Sequence, residues 1–310
     1  MNPHRLKAYF YLILVVLIWG IAGPVIKLVL NEVPWEITLL YRFAISTLVF
    51  IPFIKIRDFK LLRDRKVLTL TFLYTFLGTS IGLGLLFAGT AKTSLVSMSL
   101  LSLFAPILTI LGGYFFLKER ITWMEKFGIG VTFLGSLLII IEPVIRFDGV
   151  KGEFLGDILV MGSLVSGVIA AIILKELLRK GISPLFLANL DFAVGFVFMI
   201  PVVLFLHSPA EIFNTILKLS LPLHVGIWYI AIFSGTIAYW LYNLAQKTIE
   251  VSEQAVFSYL HPILSAILAV WLLSEPMTPL SYFGSGITIV GIVIAEVKRR
   301  AKRPHKRRNT

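Results

Sequence analysis

The chain has 310 residues, 57% of them hydrophobic and 15% charged, with a mean hydropathy of +0.89, no cysteine and a formal charge of +12. A soluble domain carries about 25% charge and 45–50% apolar residues, so this composition excludes a water-soluble enzyme core and describes an integral membrane protein. The missing cysteines exclude a disulfide scaffold, a Cys-ligated zinc site, a thiol nucleophile and an iron–sulfur cluster.

A bilayer-crossing helix needs about 20 mostly apolar residues. Ten such runs follow one another, near 7–30, 35–54, 67–90, 95–117, 123–142, 155–174, 185–207, 222–245, 253–273 and 279–297. The expected fold class is therefore all-α, with ten transmembrane helices. The first run is too long for a cleaved signal peptide and has no small-residue cleavage site behind it. It carries Trp19, and Lys27 three residues from its outer end, able to snorkel, with Glu32 near it. The second carries Arg42, where a charge costs about 2.5–3.5 kcal/mol on the insertion scale, so the side chain must face a cavity or a partner. It either attracts an anionic group of a solute or ties helices together.

The fourth run holds Pro106 near its middle, with Met98, Ser102, Ala105 and Thr109 on one face; the ninth repeats this with Pro262 and the stripe Gln254, Ser258, His261, Ser265. Each proline frees a carbonyl, tolerable in a membrane only where it meets protein or water, so both are expected helix kinks beside a cavity wall. His261 is the one His at membrane depth, either a proton-sensing or solute-bonding group or a neutral side chain bonded to a neighbouring helix. In the fifth run Thr122 and Glu125 form a capping box, and Gly128, Thr132 and Ser136 recur at a spacing that lets helices pack closely in lipid. Asp191 falls within a turn or two of the cytoplasmic end of the seventh run. In the eighth, Thr236, Trp240 and Asn243 share one helical face.

Lys and Arg set the orientation. With the N-terminus inside, roughly 23 basic residues fall in cytoplasmic loops and ends and 4 outside, placing both termini in the cytoplasm of a cytoplasmic-membrane protein. The basic tail 299–310 then reads as a juxtamembrane anchor on anionic lipid rather than a nucleic-acid patch.

The chain also repeats itself. Pairing Pro106-Ile107-Leu108 with Pro262-Ile263-Leu264 also matches Glu119/Glu275, Thr122/Thr278, Gly128/Gly284, Thr132/Thr288 and Gly135/Gly291 without a gap, and a one-residue slip adds Lys92-Thr93 against Lys247-Thr248. The copies occupy 1–150 and 151–298. Each holds five spans, an odd number, so the second is inverted. Inverted five-helix repeats are characteristic of secondary transporters.

On Trp19-Gly20, Arg42-Phe43, Ala91-Lys92-Thr93 and the doubled Pro/Leu-x-Glu-x-x-Thr/Phe-Gly-x-Gly block, the sequence resembles an EamA-type member of the drug/metabolite transporter superfamily over essentially its whole length. The resemblance implies a ten-helix carrier, commonly an exporter of amino acids or other small metabolites, with a central cavity lined by both halves. The expected function is alternating-access export of a small organic solute, amino acid or drug-like. Uptake by the same fold, or a non-transporting membrane scaffold, are the alternatives. No catalytic residue, metal, cofactor or nucleic-acid partner is expected. With no P-loop, energy would come from the solute gradient or from coupled protons or ions. The cavity candidates are Trp19, Arg42, Ser102, Thr236, Trp240, Asn243, Ser258 and His261.

Overall fold

The computed structural model describes residues 3–53, 56–93, 98, 101–146, 154–261, 264 and 279–301. Every regular element among them is helical. In chain order they are α1 (Pro3–Leu30), α2 (Trp35–Phe50), a short α3 (Ile56–Leu61), α4 (Arg65–Lys92), α5 (Phe104–Leu117), α6 (Trp123–Arg146), α7 (Phe154–Arg179), α8 (Pro184–Leu206), α9 (Pro209–Lys218), α10 (Leu221–Thr248), α11 (Val251–Val256) and α12 (Pro279–Ala301). Among the described residues six helices are long and apolar enough to cross a membrane: α1, α2 with its continuation to Phe53, α4, α7, α8 and α10. α5 and Tyr282–Ala295 within α12 are shorter apolar helices. Pro262, Glu275, much of the ninth apolar run and residues 302–310 of the basic tail lie outside the described residues.

The outward faces are apolar, as lipid requires. Phe115, Phe116, Phe154, Phe205 and Phe283 are all exposed, a pattern a soluble protein does not carry. The inward faces form a core of Ile26, Val29, Leu39, Phe43, Phe87 and Phe192, among others, drawn from α1, α2, α4 and α8. Neighbouring helices pair across the chain: α1 with α10, α7 with α4, α2 with α8, α5 with α11, and α6 with α12.

The α6–α12 contact is a seam of small residues. A Cβ on Gly128 would lie 2.5 Å from the Ala295 amide nitrogen, and one on Gly291 would lie 2.4 Å from the Thr132 hydroxyl. Thr132 donates to the Gly128 carbonyl at 2.7 Å and Thr288 to the Gly284 carbonyl at 2.9 Å, so the hydroxyls at the seam are satisfied by their own helices. The expected capping box opens α6: Glu125 N–H donates to the Thr122 hydroxyl and Thr122 N–H to the Glu125 carboxylate. α9 starts on a second box, Ser208 with Glu211, whose backbone and hydroxyl bonds hold the exposed Glu211 carboxyl below its ordinary range. None of its residues is buried, and Phe213 and Leu217 point outward. That is the geometry of a helix lying along a membrane surface.

Two features were not expected from the sequence. α4 and α10 each pass through a π-helical stretch, Phe76–Leu83 and Tyr229–Ile237, with a break from helical backbone at Gly235. Such stretches gather at functional sites because they leave main-chain groups loosely bonded and re-aim side chains. The second concerns Pro106. It lies in the first turn of α5, just after a turn at Leu103 whose backbone stays helical at φ −61° and ψ −24°.

Candidate functional site

Lysine caps set the ends of the two π-bulged helices. Lys27 on α1 does not reach toward Glu32. Its ammonium donates to the Thr90 carbonyl at 2.8 Å and the Thr93 carbonyl at 3.0 Å, at the end of α4. Lys175 on α7 donates to the Gln246 and Ile249 carbonyls at the end of α10. Thr93 and Ile249 close their helices with nearly the same backbone, φ −118° and ψ 166° against φ −114° and ψ 168°. These positions stand in the register of Pro106 and Pro262, so the one-residue slip that pairs Thr93 with Thr248 is not needed here.

Between these fixed ends lies a chain of aromatic rings. Trp19 packs edge-on to Tyr239 and tilted against Tyr242, each with centroids 5.4 Å apart, and 6.5 Å from the His261 ring. Its indole N–H donates to the Ser234 carbonyl at 2.9 Å, inside the π stretch of α10. Tyr239 continues edge-on to Phe192 at 5.3 Å. Arg42 closes the row: its guanidinium lies 5.2 Å from the Phe87 ring and 5.8 Å from Phe192, within cation–π range. Arg42 is 2% exposed, and its Nε meets no hydrogen-bond acceptor.

Beside the rings is a polar cluster. Asn243 is fully buried; its amide donates to the Pro184 carbonyl at 3.2 Å, while its Oδ1 has no partner. The fully buried hydroxyls of Thr236 and Thr79 are likewise unbonded. Asp191 sits two turns into α8, within the expected turn or two of the helix end, but it is 0% exposed, with the Tyr74 and Thr79 hydroxyls adjoining it and neither carboxylate oxygen in a hydrogen bond of ordinary geometry. Buried polar atoms are bonded in nine cases of ten or more, so such orphans are places where water or a solute can bind.

Ring contacts thus link Trp19 to His261, whose Nε2 is buried and unbonded, and through Tyr239 and Phe192 to Arg42, while Asn243 and Thr236 are buried on the helix that carries Tyr239. The structure leaves out others. Ser102 is exposed, Ser258 is half-buried on the turn that leads to His261, and Trp240 is half-buried and outside the ring contacts. The polar stripes are weaker than expected. Thr109 bonds back to the Ala105 carbonyl at 2.8 Å, and Gln254 donates to the Tyr242 carbonyl at 3.0 Å. Sequence reasoning missed Asp191, Tyr74, Thr79 and Phe192 as a group. Asp191 alone carried a signal, a carboxylate inside an apolar run.

The cytoplasmic-side loops, as the charge pattern assigns them, are tied across the chain. Glu119 accepts from the Val251 N–H at 2.8 Å and the Ser252 N–H at 2.9 Å, capping α11 rather than its own turn. Glu253 on α11 is fully buried, accepts from the Tyr9 hydroxyl at 2.5 Å and pairs with Arg5.

A helical bundle with apolar outer faces and several helices long enough to cross a bilayer is a multi-pass membrane protein. Its sequence places it further. The chain belongs to the EamA-like transporter family, which matches residues 6–141 and again 154–296. An uncharacterized transporter of Archaeoglobus fulgidus is 31% identical over 296 residues, covering 95% of this chain and all of that protein. The uncharacterized transporter YetK of Bacillus subtilis is 24% identical, covering 96% of this chain and 88% of its own. A probable amino-acid metabolite efflux pump of Escherichia coli K12 is 23% identical, covering 91% and 92%. One crystal structure superposes with a TM-score of 0.71 over 96% of this chain and 99% of its own, at 16% identity, a likeness of fold. These relatives are transporters and an efflux pump, in keeping with a protein that is not an enzyme.

Proposed function

We propose that this transporter moves a small organic metabolite out of the cytoplasm by alternating access between two inverted five-helix halves, 1–150 and 151–298, with both termini cytoplasmic. The observation that carries the reading is the centre itself. Rings from α1, α4, α8 and α10 surround buried polar atoms with no partner, drawn from both halves of the chain. An amphipathic solute satisfies such a surface better than a naked ion does, since the site holds one guanidinium, hydroxyls and amides among aromatic faces.

Three features support the halves and their sense. The family matches twice, once in each half. Lys27 and Lys175 make the same kind of cap on α4 and α10. The packing pairs α1 with α10 and α7 with α4, as a two-fold exchange of halves requires. The basic loops favour the stated orientation, roughly 23 residues against 4. An amino acid is the first solute class to try, because one relative is named as an amino-acid metabolite efflux pump.

The test is efflux from proteoliposomes loaded with labelled amino acids and compared with empty-liposome leak. Saturable efflux of at least one solute, lost in Trp19→Ala, is the expected result. No protein-dependent flux across the panel, in either direction, overturns the reading.

A further inference from the structure

The ring-lined centre leaves one buried group unexplained. Asp191 is the eighth residue of α8, roughly 10 Å from the helix start at about 1.5 Å per residue. That is too deep for a side chain with one methylene to reach water, and it is 0% exposed. The helices packed against α8 include α2, α4 and α10, and also α7, whose Ala170, Leu174 and Leu177 cluster with Phe186 and Leu187. Their ionisable side chains are Glu36, Tyr41 and Arg42 on α2; Arg65, Lys66, Tyr74 and Lys92 on α4; Asp157, Lys175, Glu176 and Arg179 on α7; and His224, Tyr229, Tyr239, Tyr242 and Lys247 on α10. Those that bear on Asp191 are the phenols of Tyr74 and Tyr239. Arg42 bears on Tyr239 and stacks on Phe87 and Phe192. Among the described residues no cation pairs with the carboxyl, and the Thr79 and Tyr74 hydroxyls beside it lie outside ordinary hydrogen-bond geometry.

An ionised carboxylate held this way is more costly than a neutral acid, because no cation and no hydrogen bond of ordinary geometry replaces its lost hydration. The sealed arrangement therefore suits the protonated carboxyl, whose hydroxyl costs only what a neutral polar group costs. Tyr74 and Thr79 adjoin it with hydroxyls that serve either state, donating to a carboxylate or accepting from an acid.

We infer that Asp191 is a proton-binding site and that this transporter exchanges its solute for protons through it. The inference rests on the transport reading above. When the site opens outward, water reaches the carboxylate and one proton adds to it, forming the O–H bond. The neutral carrier then reorients, and the same O–H bond breaks as the proton leaves to the cytoplasm. On the return half-cycle the solute's own donors compensate the ionised carboxylate. The empty, ionised carrier has neither form of compensation and does not cross, which ties one movement to the other.

The test has two readouts on the full chain in liposomes. The first needs no solute: an infrared difference spectrum between acid and alkaline buffer. A protonated-carboxyl band in the wild type that is lost in Asp191→Asn is expected; no such band, or the same band in Asp191→Asn, overturns the proposal. If Asp191→Asn does not fold, Tyr74→Phe serves: an altered titration midpoint of the band supports the site, and an unaltered one overturns it. The second is efflux of labelled amino acids with and without an inwardly directed gradient of about one pH unit. A several-fold acceleration in the wild type that falls to a ratio of one in Asp191→Asn and returns in Asp191→Glu is expected; equal acceleration in Asp191→Asn overturns the coupling. If no labelled solute moves in any variant, the transport reading fails by itself, and the infrared band still decides the proton site.

Discussion

Lys27 and Lys175 do the same thing at two ends of the molecule: each carries its ammonium from one helix to two main-chain carbonyls that finish another, π-bulged helix. The last carbonyls of a helix have no partner within it and carry its negative dipole end, so a lysine there supplies both hydrogen bonds and a favourable charge. In a membrane the alternative is carbonyls without donors. Replacing either by Met keeps the apolar stem and removes the donors. Leaving buried acceptors unsatisfied costs about 1–3 kcal/mol, so Lys175→Met and Lys27→Met are each expected to lower the Tm of the detergent-solubilised protein. Lys175→Met is expected to lower it more, since Lys175 is the more deeply buried. An unchanged Tm in both would show that water already serves those carbonyls.

The α6–α12 seam makes a contrast between two glycines of one helix. A Cβ at Gly128 collides with the backbone of α12, 2.5 Å from the Ala295 nitrogen, whereas one at Gly130 meets nothing within 4 Å. Overpacking of this kind costs about 1–3 kcal/mol, and backbone cannot step aside as a side chain can. Gly130→Ala instead exchanges a poor helix former for the best one, worth up to about 1 kcal/mol. Thermal melts are expected to place Gly128→Ala below the wild type and Gly130→Ala at or above it.

What the sequence made legible was local. The Gly128, Thr132, Ser136 spacing announces a close-packing face, and Thr122 with Glu125 announces a helix start, because both depend on residues within a turn of each other. Lys27 misled for the opposite reason: Glu32 is near in sequence, but the carbonyls of Thr90 and Thr93 are near in space. The π stretches of α4 and α10 left no mark in hydropathy, since a change from i→i+4 to i→i+5 bonding alters no composition. Gly235, at the break in α10, is their one visible trace. The ring contacts of Trp19 and the burial of Arg42 could be expected residue by residue. The surroundings of Asp191 could not, because Tyr74 and Thr79, which adjoin it, come from another helix far away in sequence.

Glu119 reaches across the chain because of the residue before it. Lys118 ends α5 in the left-handed region at φ 55°, the one non-glycine residue with positive φ among those described, and this turn presents the Glu119 carboxylate to the Val251 and Ser252 amides. Bonds from backbone N–H groups to an ionised carboxylate at a helix start are the stronger kind, about twice a neutral pair. Glu119→Gln keeps one acceptor oxygen and loses the charge; Glu119→Ala loses both. The expected order of Tm is wild type, then Glu119→Gln, then Glu119→Ala. Lys118→Gly, which relieves the left-handed strain without touching the cap, is expected to match or exceed the wild type.

Arg42 separates stability from function most sharply. A guanidinium that is 2% exposed, with an unbonded Nε and two rings for company, has given up its hydration for cation–π contacts worth about 0.5–2 kcal/mol each. The effective cost of burying an ion is several kcal/mol, so an apolar side chain of similar volume at such a position is often neutral or stabilising. Arg42→Met is therefore expected to express normally and melt at or above the wild-type Tm. If the guanidinium meets an anionic group of the solute, the same variant loses flux by tenfold or more. Arg42→Lys retains the charge without the planar fork and is expected to fall between the two. Paired melts and proteoliposome efflux read both quantities on the same preparations: a large fall in Tm for Arg42→Met with undiminished flux per folded molecule would make Arg42 a tether between helices, and its solute role would be withdrawn.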